Sequence, residues 1–186
     1  MALQTSGAIS LNQIHIEAGG TSGTQASLND SDIRGLISKA SGAQMSFNEW
    51  YGASTGTAYT VGQGTYSGQF FTNYGYQLST MGTLSPTTFG VYTVKGIYRT
   101  GSSAGNFFYI VFNYSTTPPT NAFTSFSLTA NGTAITGLAS DASTSTASGG
   151  YDRLWMFNAS NGLTSSELSD IATEFDGSGN ITVTLS

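Results

Sequence analysis

Short runs of β-branched and aromatic residues, each followed by Gly, Asn, Ser or Pro, recur from residue 57 to residue 186. Such runs are typical of strands that end in tight turns. Asn131-Gly132 stands between two of them, and this dipeptide is the strongest short signal of a β-hairpin. The run "NFFYIVFNY" is apolar on both faces and predicts a central strand of a sandwich. Strands are predicted at 57–62, 66–72, 74–79, 90–99, 106–114, 122–130, 133–138, 152–158 and 180–185.

One helix is predicted near the C-terminus. Thr164 is followed three residues later by Glu167, as in a helix-capping box, and Leu168, Ile171, Ala172 and Phe175 then recur at helical spacing.

The prolines of "SPTTFG" and "TTPPTNAF" stand where strands cannot continue. About nine short strands in this length of chain predict an antiparallel β-sandwich.

A different pattern occupies the first fifty residues. The stretches "ISLNQI" (9–14), "ASLNDSDI" (26–33) and "MSFNEWY" (45–51) each place Ser three residues before Gln, Asp or Glu. This spacing is a capping box, in which the Ser hydroxyl and the acidic or amide side chain satisfy each other's backbone amides. Each copy continues into apolar residues and then a glycine. The sequence therefore predicts three short capped helices joined by Gly/Ser loops.

The second copy is the least regular of the three. Ser27 with Asp30 fits the capping box loosely because Asp is shorter than Glu, and Asn29 with Asp32 offers a competing start. The other two boxes pair Ser10 with Gln13 and Ser46 with Glu49.

The apolar residues of this module make a thin core for about 45 residues, and helices this short are marginal on their own. We therefore expect the module to dock onto a partner. The fold class predicted is mainly β, with a small N-terminal module of short capped helices (1–52), a linker (53–58) and an antiparallel β-sandwich (59–186). The side chains predicted to contact the partner are Ile9, Leu11, Ile14, Ile33, Leu36, Phe47 and Trp50.

The charge pattern excludes several classes of partner. Charged residues make up 8% of the chain, the net charge is −5, and the basic residues form no run. Binding to nucleic acid needs several Lys or Arg facing phosphates, so it is not expected. No apolar run approaches the roughly 18 residues of a membrane span, and "MALQTSGAIS" lacks the features of a signal peptide. We expect synthesis in a cytoplasm and no membrane insertion.

Residues suited to catalysis are few. The single histidine, His15, has no second histidine or nucleophile motif to support it, and there are no cysteines. Glu167, Asp170 and Glu174 share one face of the predicted helix, which is typical of a solvated surface. "DGSGN" begins like a calcium loop, but the required Gly and Glu do not follow. No catalytic residue, metal or cofactor is predicted, and the protein is not expected to be an enzyme.

The aromatic residues of "TYSGQFFTNYGY" (65–76) are the most plausible binding feature of the sandwich. Aromatic side chains on an exposed sheet can stack on sugars or fill a groove of a partner. Core packing is the favoured alternative, because alternate positions of a strand must face inward. The receptor-binding candidates are Tyr66, Phe70, Tyr74 and Tyr76.

The first 52 residues also resemble an N-terminal module of tailed-bacteriophage structural proteins. The stretches "GAISLNQIHIEAGG" and "SGTQASLNDSDIRGLISKASGAQMSFNEWYG" carry this resemblance. In such proteins the module precedes β-rich domains of tail fibres, baseplates and tail tips. The segments "FTSFSLTANG" and "GNITVTLS" look more loosely like the β-sandwich domains of the same proteins.

The resemblance implies a non-enzymatic virion structural protein of the tail, the baseplate or a short fibre. It would be made in the host cytoplasm, bind other virion proteins and form a trimer or a higher ring. Two alternatives remain open: an adhesin that binds a host-surface glycan or protein, and a capsid decoration protein. A glycan depolymerase is the weakest alternative, because the chain is short for the long β-helix of many such enzymes.

Overall fold

The computed structural model describes residues 3–4, 6–37, 39–51, 53, 56–114, 122–147 and 152–186. It is mainly β, with 44% strand and 16% helix, as the sequence predicts. Two compact units divide between Gly56 and Thr57, inside the segment whose composition suggests a linker. Pro118 and Pro119, which are predicted to end a strand, lie outside the described residues.

The first helix of the N-terminal unit, α1 (Leu11–Glu17), has the predicted capping box. The backbone N–H of Gln13 donates to the Ser10 hydroxyl over 3.2 Å, and the N–H of Ser10 donates to the Gln13 side chain over 2.8 Å. An N-cap of this kind stabilises a helix by about 0.5–2 kcal/mol. The chain leaves the helix through Gly19, whose φ of 94° favours glycine.

The other two segments of this unit are shorter than predicted. Helix α2 (Ser31–Gly35) has Asp30 as its N-cap, so it begins neither at Ser27 nor at Asn29, but one half of the predicted Ser27–Asp30 box is present. The Asp30 carboxylate turns back and accepts a hydrogen bond of 2.8 Å from the N–H of Ser27. The third segment, Phe47–Trp50, is one 3₁₀ turn, and the N–H of Ser46 donates to the Glu49 carboxylate over 2.9 Å, as the predicted capping box requires.

The second unit contains two antiparallel sheets. The five-stranded sheet has the order β4-β1-β12-β8-β9, and the seven-stranded sheet has the order β10-β11-β7-β6-β3-β2, with β5 also paired to β6. The strands are β1 (Thr57–Gly62), β2 (Gly64–Ser67), β3 (Phe71–Gln77), β4 (Thr83–Ser85), β5 (Thr88–Phe89), β6 (Tyr92–Ser102), β7 (Gly105–Asn113), β8 (Ser125–Ala130), β9 (Thr133–Leu138), β10 (Ser143–Ala147), β11 (Asp152–Phe157) and β12 (Asn180–Leu185).

Three local features of the sheets concern their turns and strand pairing. The β8–β9 hairpin turns at Asn131 and Gly132, whose φ angles of 49° and 77° suit a type I′ turn. The first and last strands of the unit pair with each other, with Thr57 opposite Leu185 and Gly62 opposite Asn180. The predicted strands 66–72 and 74–79 are replaced by β2 and β3, because the chain turns at residues 68–70.

The core between the sheets is built from aromatic rings. Phe108 of β7 lies 4.9 Å from Phe126 of β8 and 5.5 Å from Phe175, measured between ring centroids. Helix α3 (Ser165–Glu174) adds Leu168 and Ile171 to this core, and its predicted capping box of Thr164 and Glu167 is present. Alternate residues of each strand therefore face inward, and the opposite positions are free to form an outer surface.

Candidate functional site

Three of the apolar side chains predicted to dock onto a partner lie inside the N-terminal unit. Ile14, Ile33 and Trp50 are fully buried, and Leu3 completes the same cluster. The indole N–H of Trp50 donates a 3.1 Å hydrogen bond to the carbonyl of Ile33. We therefore assign these side chains to the core of the unit, where a partner cannot reach them.

The other predicted docking residues are closer to the surface. Ile9, Leu11 and Leu36 pack partly buried against the cluster. Phe47 is 42% exposed, with its ring centroid 6.1 Å from that of Trp50. Among these seven predicted residues, Phe47 offers a partner the most apolar surface.

Two exposed apolar residues of this unit were missed at the sequence level. Ile16 is 45% exposed, and the Tyr51 ring is also exposed while its hydroxyl donates to the carbonyl of Gly7. Ile16 follows the buried Ile14 by two positions in α1, and two positions turn a helix by about 200°, so the two side chains point to different sides. That spacing was the available signal. We call Ile16, Phe47 and Tyr51 the exposed trio.

The structure separates the four aromatic residues predicted to bind a receptor. Tyr76 is buried in the sandwich core, and Tyr74 is half-buried, with the guanidinium carbon of Arg99 3.9 Å from its ring centroid. Tyr76 is therefore a core residue and is not available to a receptor. Tyr66 remains exposed on β2, and Phe70, in the turn that follows, is 75% exposed.

A second apolar cluster lies on the outer face of the seven-stranded sheet, turned away from the core. Its buried members are Met81, Tyr98 and Val111, with Tyr109 and Leu154 packed against them. Aromatic rings continue along this face from Phe107 to Tyr109 to Tyr98, with centroid separations of 6.4 Å and 5.1 Å. We call Phe107, Tyr109 and Tyr98 the aromatic row.

The strand register explains why these rings meet. Tyr98 of β6 stands opposite Tyr109 of β7, which stands opposite Met156 of β11. Side chains of directly opposed residues lie on the same face of a sheet. The Tyr109 hydroxyl also contacts the Met156 sulfur over 3.3 Å. The aromatic row could not be found from a single segment, because it depends on the pairing of distant strands.

A cavity of about 280 Å³ opens on this face, at the Tyr98 end of the row. A β-bulge in β6, between Val94 and Gly96, places Lys95 at its wall. Bulges commonly re-aim one side chain in this way. We call this cavity the Tyr98 pocket. Its lining residues are Gln77, Leu78, Thr80, Lys95, Tyr98, Val111, Asp152 and Leu154.

The polar groups of the Tyr98 pocket include two opposite charges. Asp152 is only 8% exposed, and its Oδ1 accepts a hydrogen bond of 2.9 Å from the side-chain amide of Asn113. Within the part of the chain that the structure describes, Lys95 forms no ion pair, and the side chains of Gln77 and Tyr98 form no hydrogen bond. The side chains of Lys95, Gln77 and Tyr98 can therefore still form hydrogen bonds, and they lie beside the apolar lining residues Val111 and Leu154.

Burial extends the pH range over which the two stacked tyrosines stay protonated. Desolvation, followed by the nearby Tyr109 hydroxyl, raises the pKa of Tyr98 from 10.0 to about 12, and desolvation also raises the pKa of Tyr109. Both hydroxyls are therefore protonated at neutral pH and can donate as well as accept.

A second cavity of about 400 Å³ is lined by the other end of the aromatic row. Phe107 contributes its aromatic ring, and several neighbours contribute amide and hydroxyl groups. The lining residues are Ala104, Gly105, Asn106, Phe107, Asn158, Ala159, Ser160, Ser165 and Leu168. Tyr98 and Phe107, the two ends of the aromatic row, therefore each line a different cavity.

The acidic residues of α3 all have structural partners. Glu167 caps its own helix, accepting from the backbone N–H of Thr164 over 2.7 Å. Asp170 and Glu174 both accept hydrogen bonds from Asn131, through its side-chain amide and its backbone N–H respectively. These carboxylates hold the β8–β9 turn against the helix.

The other two groups considered for chemistry also form hydrogen bonds, while His15 Nδ1 is buried without a partner among the described residues. His15 lies with its Nε2 2.8 Å from the Thr24 hydroxyl. Asp176 accepts from the backbone and the hydroxyl of Ser178, which closes a local turn and lowers the pKa of Asp176. Among the described residues, no group of three or more His, Asp or Glu is placed to hold a metal ion. The helices described are all too short or too polar to cross a bilayer.

Comparison with known proteins finds no family model, no curated protein and no solved structure that matches this chain.

Proposed function

We propose that the protein is a structural component of a tailed-phage particle, fitted to the tail, the baseplate or a short fibre. The observation that carries this proposal is the construction of the N-terminal unit. Four buried apolar side chains close its core, while the exposed trio stays at the surface. A unit this small needs most of its large apolar side chains for its own core. Three such side chains at the surface therefore favour a docking role.

Residues 1–52 would attach the protein to the phage particle, and the sandwich would form the outer body of this component. The resemblance of this segment to phage modules supports the assignment, and the partners would be other virion proteins. Closed symmetric rings are the usual form of such assemblies, so we also propose a trimer or a higher ring. Light scattering on the purified full chain would give its mass in solution.

Particle incorporation tests the proposal directly. We would produce phage in cells that supply only the double variant Phe47→Ser with Ile16→Ser, and quantify the protein in purified particles by mass spectrometry. We expect incorporation to fall at least tenfold while the variant stays folded, since the loss of two apolar contacts costs about 2 kcal/mol or more.

The matched control is Val91→Ser. Val91 is 90% exposed but belongs to the other unit, so this variant should incorporate normally. Absence of the wild-type protein from purified particles would refute the proposal. Detection of the protein on the capsid rather than on the tail would favour the decoration alternative.

A second candidate function is binding of a host-surface glycan. It is favoured by the aromatic row, which ends at a pocket carrying both charged and apolar groups. Binding of the free protein to host cells, and its loss after the surface glycans are removed enzymatically, would test this role. Release of reducing sugar in the same assay would instead favour a depolymerase.

A further inference from the structure

We infer that the Tyr98 pocket binds one uncharged sugar ring, and that the aromatic row carries the next units of the same oligosaccharide. This inference deepens the second proposed function and rests on it. It does not depend on where the protein sits in a particle.

The polar groups of the pocket select for hydroxyl groups. The Lys95 ammonium group can only donate hydrogen bonds and the Asp152 carboxylate can only accept them, whereas Gln77 can do both. Two neighbouring hydroxyl groups of a ligand can bond to all of these side chains, because each hydroxyl donates one hydrogen bond and accepts others. The opposite charges of Lys95 and Asp152 offset each other, so the site does not call for a charged ligand.

The remaining walls suit the other side of a sugar ring. Val111 and Leu154 form an aliphatic floor, and the Tyr98 ring stands beside them. The C–H face of a pyranose is apolar and can cover such a floor, while its hydroxyls point to the rim. Ligand sites generally combine a mostly apolar lining with a few convergent polar groups in this way.

The pocket is held in place before any ligand arrives. Asn113 fixes the Asp152 carboxylate, and the stack on Tyr109 fixes the Tyr98 ring. The β-bulge fixes the backbone of Lys95. Groups that are already ordered lose little conformational entropy on binding, which favours affinity.

The dimensions limit the occupant of the pocket to one ring. Its volume of about 280 Å³ lies just below the roughly 300–1,000 Å³ of sites for drug-sized ligands. Further units of the oligosaccharide would then lie over Tyr109 and Phe107. The ring centroid of Tyr109 is 5.1 Å from that of Tyr98, and the centroid of Phe107 is 6.4 Å from that of Tyr109. Affinity should therefore rise from a monosaccharide to a trisaccharide.

The first experiment uses the full chain and a panel of methyl glycosides of glucose, galactose, mannose, rhamnose and N-acetylglucosamine. Saturation-transfer NMR would detect binding, and amide chemical shifts would locate it. We expect at least one glycoside to bind at millimolar concentration and to shift the amides of Lys95, Tyr98 and Leu154.

Two variants test the polar contacts. Asp152→Asn removes a charge with little change of shape, and Lys95→Gln removes a charge and shortens the side chain. Each should weaken binding about tenfold, the effect of losing one charge-assisted hydrogen bond. Lys39→Gln removes an equal charge from the other unit, where Lys39 pairs with Glu49, and should leave affinity unchanged.

Four outcomes would overturn the inference, and they are distinguishable. Binding that shifts only the amides around Tyr66 and Phe70 would keep the glycan function but remove it from this pocket. Binding of glycine, a zwitterion, with no binding of any glycoside would replace the ligand class. Failure of every glycoside in the panel while the protein still binds host cells would reject the pocket alone; failure of both would reject the glycan function too.

Discussion

The ring of Tyr98 fills the space that a side chain at Gly96 would need: a Cβ added at Gly96 would lie 2.8 Å from Cε1 of Tyr98. Tyr98 cannot easily move aside, because its other neighbour is the ring of Tyr109 at 5.1 Å. The outer face of the seven-stranded sheet therefore depends on a glycine.

Gly96→Ala should lower the free energy of unfolding by about 1–3 kcal/mol, the usual cost of overpacking. Urea denaturation would measure it. In a Tyr98→Leu background the same alanine should cost clearly less, because the ring is gone. Equal costs in the two backgrounds would show that the ring is not the cause.

Gly20→Ala should destabilise the N-terminal unit. A Cβ at Gly20 would lie 2.1 Å from Cε1 of His15, whose ring is held by Thr24, so the ring must leave its place. We expect a loss of about 1–3 kcal/mol, visible as faster hydrogen exchange of the α1 amides. Gly35→Ala is the control, since nothing lies within 4 Å of a Cβ there; slower exchange in Gly20→Ala would contradict the prediction.

Thr164→Ala should cost about 1 kcal/mol of stability, because it removes the hydroxyl that caps α3. Thr173→Ala is a matched control on the same helix. Its hydroxyl donates to the carbonyl of Ser169 one turn earlier, and alanine is the better helix former, so this change should be neutral or slightly stabilising. Thermal unfolding would rank the two variants, and a reversed order would reject the assigned cap.

Stability should fall at alkaline pH because of Tyr98. Its pKa is about 12 in the folded chain against 10.0 for an ordinary tyrosine, so between these values the unfolded chain releases a proton that the folded chain keeps. The stabilisation is complete below pH 10 and is lost towards pH 12, by about 1.4 kcal/mol per pH unit. Desolvation raises the pKa of Tyr59 too, which adds in the same direction.

Tyr98→Phe should reduce this slope in urea denaturation series. At neutral pH the variant should be nearly as stable as the wild type, because the Tyr98 hydroxyl forms no hydrogen bond to any described residue. An unchanged alkaline slope would mean that another group controls the loss of stability.

Local signals in the sequence were sufficient for much of the fold. The bounds of β1, β9 and β12 agree with the predicted runs, and Asn131-Gly132 forms the expected hairpin turn. The capping boxes at Ser10, Ser46 and Thr164 were also recognisable, because each depends on residues three apart. Strand β10, "STSTA", was missed because it has no apolar alternation to mark it.

The candidate site was much harder to predict, for a physical reason. Tyr98, Tyr109 and Asp152 come together through the register of three strands, and one residue of slip would turn each side chain to the other face. Lys95 reaches the pocket through a bulge, which the sequence does not mark. The aromatic residues of segment 65–76 are recognisable as a group because they are close in sequence, yet in the structure they divide between the core and the surface.

The pairing of Thr57 with Leu185 also has a mechanical consequence. A pull that separates Thr57 from Leu185, the two ends of the sandwich unit, would open the β1–β12 ladder one pair at a time, which needs little force. A pull on Thr57 along β1, resisted by the rest of the sandwich, would instead strain the pairs to β12 and β4 together. The β1–β12 ladder therefore resists a pull along β1 better than a pull that separates Thr57 from Leu185.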